Sequence, residues 1–139
     1  MERTNIRYLD TSRLPARPDL ATIDVSFISL ELVLPVVLAL LDPPHEFVVL
    51  VKPQFEVGKG SVGKRGVVRD RTQHRSVLTR LTSLARQSSL RVLGLIESPL
   101  LGPMGNREFF MHLASAGLEP DVPALIGSIV ESARVLSTD

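Results

Sequence analysis

The sequence predicts an α/β fold, an open and mostly parallel sheet with an antiparallel pair of strands at one edge. Three observations predict it. Segments patterned as strands and helices follow one another in the order β-α-β-α-β-β-α, the alternation of an open α/β sheet. The strand-like run "FVVLVKPQF" (47–55) is apolar on both faces before its lysine, as expected of parallel strands covered by helices on either side. The last two strands are joined by "SPLLGPMGN" (98–106), a turn-rich connector too short for a crossover helix, which implies antiparallel pairing.

Taken in order, "LATIDVSFI" (20–28) is a short strand rich in β-branched residues and interrupted by Asp24. Ser29 is suited to cap the helix "LELVLPVVLALL" (30–41), which Pro35 bends or shortens. "DPPHE" (42–46) is a turn by composition. The second strand, 47–55, is interrupted only near its end, by Lys52. Residues 56–69 form a loop of glycine, lysine and arginine. The stretch from Asp70, "DRTQHRSVLTRLTSLARQSS", sets Val77, Leu78, Leu81, Leu84 and Ala85 on one helical stripe. "RVLGLIE" (91–97) and "REFFMHLAS" (107–115) are the third and fourth strands. In the tail, apolar residues at 122, 125, 126, 129, 130, 133 and 136 follow the helical period, with Asp121 as its cap. No repeat, low-complexity tract or linker divides the chain.

Composition narrows the function classes. At 139 residues, 44% apolar and 22% charged, the chain suits one soluble domain or a piece of one. Aromatic residues are scarce at 4%, which disfavours a nucleic-acid binder built on base stacking. The net charge is +1, so affinity for an anion must come from local clustering. With no cysteine, disulfides, thiolate metal sites and cysteine catalysis are excluded. The N-terminus is charged and lacks a signal-peptide core, and the longest apolar run is too short to span a bilayer. The expectation is a cytoplasmic protein without a membrane segment.

The loop "VGKGSVGKRGVVRD" (57–70) approaches two known motifs and fits neither. Gly58, Gly63 and Lys64 keep the spacing of a phosphate-binding loop, but Arg65 stands where a Ser or Thr must reach Mg²⁺. Around Ser61, Lys59 occupies one glycine position of the serine-hydrolase elbow. His45, His74 and His112 lack metal-ligand spacing and are expected at the surface or at strand edges. What remains is charge: Lys59, Lys64, Arg65, Arg69, Arg71 and Arg75 crowd one segment with Asp70 the only carboxylate inside it. Such a loop suits a phosphodiester chain, and equally a solvated surface.

Three charges interrupt otherwise apolar strands: Asp24, Lys52 and Glu108. Ligands of open α/β sheets gather beyond the carboxyl ends of parallel strands, and an antiparallel neighbour begins at that same rim. The three residues can therefore converge. They form either a structural ion-pair cluster or a lysine tuned by two carboxylates to handle the proton of a hydroxyl nucleophile.

The blocks "ERTNIRYL", "LATIDVSFISL", "LVKPQFEVGKGSVGKRGVVRD" and "SPLLGPMGNREFF" together resemble the TlyA family. These are haemolysin-A-like ribosomal RNA 2′-O-methyltransferases of the FtsJ/RrmJ type. The resemblance runs from residue 2 to about 115. It implies a partial Rossmann-like methyltransferase fold, S-adenosylmethionine as methyl donor, and cytidine 2′-hydroxyls of 16S and 23S rRNA as acceptors. It assigns Asp24, Lys52 and Glu108 to a Lys-Asp-Lys-Glu catalytic set, with Lys52 orienting the 2′-hydroxyl. It also sets Asp24 and Ser26 beside the methionine part of the cofactor, and Asn5 where a third strand approaches the adenine. Lys59, Lys64, Arg65 and Arg69 become candidate RNA contacts.

The chain departs from the family pattern upstream of Asp24. An RNA-binding S4-like domain, the first catalytic lysine and the glycine-rich cofactor loop have no counterpart there. The resemblance thus implies that residues 1–139 are the C-terminal portion of a methyltransferase domain. Such a portion is incompetent alone and requires the N-terminal half, in cis or from another chain, or assembles as a homo-oligomer. The other readings are a non-catalytic RNA-binding module using residues 58–75, and a membrane-active haemolysin, for which no segment suits insertion.

Overall fold

The structure, a computed structural model, describes residues 3–58 and 60–132. After two short 3-10 turns come β1 (Leu20–Ile23), α1 (Leu30–Leu40), β2 (Glu46–Val51), α2 (Pro53–Glu56), α3 (Arg71–Gln87), β3 (Arg91–Glu97), β4 (Phe109–Ala114) and α4 (Val122–Glu131). The strands form one open sheet in the order β1-β2-β4-β3. β1 and β2 pair in parallel, from Leu20↔Glu46 to Ile23↔Val49. β4 pairs antiparallel with both β2 and β3. β1, β2 and β3 therefore point one way, and the expected fold class stands.

The antiparallel pair does lie at one edge, but the outermost strand is β3. The α3 crossover from β2 to β3 leaves a gap one strand wide, and the short connector returns β4 into it. β4 is therefore an interior strand, like β2, with a neighbour on each side. Its first residue, Phe109, faces Val51 and Glu97, the last residues of β2 and β3. Glu108 is thereby delivered to the carboxyl rim of the sheet.

The helices follow their sequence signals. Ser29 Oγ accepts from the Glu31 N–H at the start of α1. Pro35 lies on that helix's exposed side, where water can satisfy the carbonyl its missing N–H leaves free. Asp70 Oδ1 accepts from the Thr72 N–H at 2.8 Å and starts α3, whose residues Val77, Leu78, Leu81 and Ala85 are buried as their spacing predicts. Asp121 caps α4 by accepting from the Ala124 N–H, and Val122, Ile126 and Val130 are buried. Positions 133 and 136 of the predicted stripe lie outside the described residues. Arg107 binds Glu97 through two hydrogen bonds of 3.0 and 2.7 Å and donates to the carbonyls of Ile129 and Val130, which ties the end of α4 to the sheet.

The core lies between one sheet face and the helices α1, α3 and α4. Ile23, Phe47, Val49, Val51, Phe109, Met111, Leu113, Val92 and Leu95 point into it. The expectation of helices on both faces is corrected: among the described residues, the opposite face has no helix over it. Leu20, Val48 and Ile96 are exposed there and, with Phe110 and His112, line an open apolar groove. His112 Nε2 and Glu46 Oε2 meet across it at 3.0 Å.

His74 is also corrected. It is fully buried rather than at the surface, because it shares the inward stripe of α3 and its Nε2 donates to the Val68 carbonyl at 3.0 Å. Its ring meets Phe109 edge-on. Burial first, and then the nearby Arg107 charge, hold its pKa below the ordinary histidine value.

Candidate functional site at the carboxyl rim

β1 ends at Ile23 and β2 at Val51, so Asp24 and Lys52 are the first residues past two adjacent parallel strands. Lys52 Nζ lies 2.6 Å from Asp24 Oδ1 and donates to Ser26 Oγ at 3.2 Å. The lysine side chain is 13% exposed while the aspartate is 68% exposed, so the pair spans the boundary between protein and solvent. An ion pair with one partner this open contributes at most about 1 kcal/mol to stability. Pro53 immediately follows and begins α2, which fixes the backbone at the base of the lysine.

Glu108 reaches the same rim but does not pair with Lys52; among the described residues, no ion pair links them. Its buried carboxylate accepts from Gln54 Nε2 at 2.9 Å, and Gln54 lies two residues beyond the lysine. Gly102 packs so closely on it that a Cβ there would come within 2.1 Å of Glu108 Oε1. The amide oxygen of Gln54 is buried without a hydrogen-bond partner.

The loops around the pair are braced by Glu56. Its side chain is 2% exposed, and it accepts from Ser29 Oγ and the Leu30 N–H, both at 2.8 Å, and from Arg80 Nη2 at 2.9 Å. Arg80 also binds Glu31. Burial alone would lower the pKa of Arg80, but the two carboxylates outweigh it and hold the guanidinium above its ordinary value. This cluster joins the end of α2 to the start of α1, and hence the segment bearing Lys52 to the turn bearing Asp24 and Ser26.

In that turn Phe27 is 90% exposed, its backbone is held at φ 63°, and its ring lies 4.8 Å from that of Phe55. A bulky residue in the left-handed region costs energy and concentrates at functional sites. Composition could not reveal this, since the signal is the conformation of one phenylalanine.

Asn5 lies elsewhere. It is exposed at the start of a 3-10 turn, Ile6–Tyr8, where its side chain accepts from the Arg7 N–H, and no strand is present at that point. Of the candidate RNA contacts, Arg65 and Arg69 are exposed and have no ion-pair partner among the described residues. Lys64 opens a 3-10 turn, and Lys59 lies outside the described residues. Arg71 and Arg75 are committed to Glu131 at 3.1 and 3.2 Å, so the basic segment has fewer available cations than its sequence suggests. Asn106, which sequence reasoning missed, is buried between the basic loop and the β3–β4 connector and bonds to both. No group of three potential metal ligands occurs among the described residues.

The FtsJ-like methyltransferase profile matches residues 1–115. The chain belongs to the FtsJ-like methyltransferase family. It is 46% identical over 114 residues to the 16S/23S rRNA (cytidine-2′-O)-methyltransferase TlyA of Mycobacterium tuberculosis, covering 81% of this chain and 42% of that protein. Over the same length it is 50% identical to YqxC of Bacillus subtilis, covering 81% of this chain and 41% of YqxC. A solved structure from Streptococcus thermophilus superposes with a TM-score of 0.86 at 41% identity, covering 94% of this chain and 48% of that one. The chain thus spans less than half the length of the curated relatives named here.

This family membership identifies residues 1–115 as part of an FtsJ-like methyltransferase domain, and the fold agrees with it. Among the described residues, no helix is long and apolar enough to cross a membrane. Hemolysin A of Brachyspira hyodysenteriae is also similar, 33% identical over 95 residues that cover 68% of this chain and 40% of that protein. The carboxyl-rim charges therefore belong to a fold shared by proteins named for methyl transfer and for haemolysis.

Proposed function

We propose that this chain is the lysine-bearing C-terminal portion of an S-adenosylmethionine-dependent 2′-O-methyltransferase acting on cytidines of 16S and 23S rRNA in the cytoplasm. The observation that carries this reading is the Lys52–Asp24 contact at the carboxyl ends of adjacent parallel strands. That contact is too exposed to serve chiefly as a structural ion pair. Lys52 has three ammonium donors; Asp24 and Ser26 take two, which leaves one for a ribose hydroxyl. In this reading Lys52 orients the 2′-hydroxyl, Asp24 keeps the ammonium directed, and Glu108 supports the rim through Gln54. Phe27 offers its open ring face to a base of the substrate.

The exposed carboxylate of Asp24 and hydroxyl of Ser26 suit the amino-acid end of S-adenosylmethionine, which when bound supplies a methyl group activated on a positively charged sulfur. Asn5, the residue expected beside the nucleoside end, is bonded within its own turn. We therefore assign the rest of the cofactor cradle to sequence outside this chain, within the part of the longer relatives that it does not cover. The bare sheet face is the surface such sequence would cover, since sheets of this class carry helices on both faces.

The test is calorimetry followed by methyl transfer. The isolated chain is expected to bind S-adenosylmethionine no more tightly than about millimolar; joined to the N-terminal part of a TlyA-type relative it should bind tightly and methylate rRNA. Tight binding by the isolated chain would overturn the assignment of incompleteness. Undiminished transfer by the joined protein carrying Lys52→Ala would remove the role given to that residue. The alternative, a non-catalytic RNA-binding module, is favoured by Arg65 and Arg69, which are exposed and have no ion-pair partner among the described residues, and predicts RNA binding with no dependence on Lys52.

A further inference from the structure

We infer that Asn106 is the positioning residue that registers the basic loop against the lysine-bearing rim, so that RNA gripped by Arg65 and Arg69 is held in fixed relation to Lys52. The inference rests on the RNA reading proposed above. Asn106 is 2% exposed and cannot itself touch a nucleic acid. Yet its side chain bonds in three directions. Its Oδ1 accepts from the Val68 N–H at 3.0 Å, and its Nδ2 donates to the carbonyls of Gly66 at 3.1 Å and Pro103 at 2.9 Å. Two of those bonds hold the basic loop and the third holds the β3–β4 connector.

The loop needs such an anchor. It is rich in glycine, and Arg65 stands at φ 64° beside Gly66 at φ 77°, a conformation that local preference does not specify. Val68 is gripped from both sides: its N–H donates to Asn106 while its carbonyl accepts from His74. Buried bonds of this kind are costly to leave unmade, so they fix one loop shape. On the connector side, the Gly102 N–H donates to the Asn106 carbonyl at 2.8 Å. Gly102 in turn lies against the Glu108 carboxylate, which is bonded to Gln54. Direct contacts therefore run without a gap from Gly66 and Val68 through Asn106, Gly102 and Glu108 to the segment that carries Lys52.

The experiment titrates the whole chain with a short single-stranded RNA containing cytidine, fluorescein-labelled for anisotropy and unlabelled for ¹⁵N–¹H NMR. In the wild type, the side-chain amides of Asn106 and Gln54 should shift with the same midpoint as the Nε signals of Arg65 and Arg69. In Asn106→Ala, affinity should fall about tenfold and the salt dependence should lose about one unit of slope, although no charge has been removed. The Gln54 amide should then cease to respond. A folded Asn106→Ala with unchanged affinity and slope overturns the inference. If that variant does not fold, the wild-type titration decides: saturation at Arg65 and Arg69 with Asn106 and Gln54 unmoved overturns it equally. Absence of any RNA binding by the wild type would instead refute the RNA reading, and this inference with it.

Discussion

Gly102→Ala isolates the contact that holds Glu108. Gly102 has φ −71° and ψ −176°, extended values that alanine adopts freely, so the backbone contributes nothing to the cost. The cost arises from the new methyl group, which would lie 2.1 Å from Glu108 Oε1, 2.4 Å from Cδ and 3.0 Å from Cγ. Restoring van der Waals separation requires the carboxylate to retreat by about 1 Å or more. That movement breaks the 2.9 Å bond from Gln54 and leaves an amide whose oxygen already lacks a partner wholly unsatisfied. Losing a hydrogen bond to a charged group costs about 1.5–3 kcal/mol, and overpacking adds about 1–3 kcal/mol. The expected total is about 4 kcal/mol, or a fall in Tm of roughly 12–15 °C for a chain of this size. Urea unfolding followed by circular dichroism measures it. In a Glu108→Ala background the opposing group is gone, and Gly102→Ala should cost less than about 0.5 kcal/mol, a coupling of about 2 kcal/mol or more. Equal costs in the two backgrounds would refute the reasoning.

Glu56→Ala should destabilise the fold by about 3 kcal/mol, because it strips Arg80, Ser29 and the first N–H of α1 of one shared buried partner; chemical denaturation checks it, and a loss below 1 kcal/mol would contradict the bracing role. Asp70→Ala removes the N-cap of α3 and should cost about 1 kcal/mol, read the same way, with Asp70→Asn recovering most of it. The pH dependence of Tm tests His74. Because its pKa is depressed in the folded chain relative to the ordinary 6.5, the unfolded chain takes up the proton first as pH falls. Its contribution to stability is therefore complete above pH 6.5 and is lost as pH falls through 6.5 toward the folded value, at up to about 1.4 kcal/mol per pH unit. His74→Gln should flatten the curve between pH 7 and pH 5.5; an unchanged profile would assign that slope to other groups.

Much of the frame was legible because one-dimensional patterns encode it. The inward stripe of α3, the caps Ser29, Asp70 and Asp121, and the apolar second strand each state their structure locally. Charges breaking apolar runs of sequence marked Asp24 and Lys52, and the fold sets both just past the strand ends and brings them into contact. The same logic singles out Glu108, which the fold brings to the rim, but not its partner Gln54. Gln54 reads as one polar residue in a loop, and only the insertion of β4 beside β2 shows what it faces. Asn106 and Glu56 were invisible for a similar reason. Each joins segments far apart in the chain, 38 residues for Asn106 and Val68 and 24 for Glu56 and Arg80, and no periodicity records such bonds. His74 was misjudged because a titratable residue on a helical stripe looks polar until its carbonyl partner is known. The cation count of the basic segment was overestimated because Glu131, which neutralises two of its arginines, belongs to another helix.

The bare face of the sheet divides the surface of this chain into two kinds of ground for substitution. Val48 and Ile96 are already exposed, Ile96 the more so, and replacing either with threonine should leave the unfolding free energy within about 0.5 kcal/mol of the original. The same replacements shrink the apolar patch around the groove and should raise the concentration at which the chain stays dispersed, most visibly in sulfate solutions that strengthen apolar contact. On the opposite face, Val49 and Met111 are enclosed, and equivalent changes would be felt as loss of the fold itself. Two residues one step apart on the same strand, Val48 and Val49, therefore answer to different selective pressures: the first to what the molecule meets, the second to what it is.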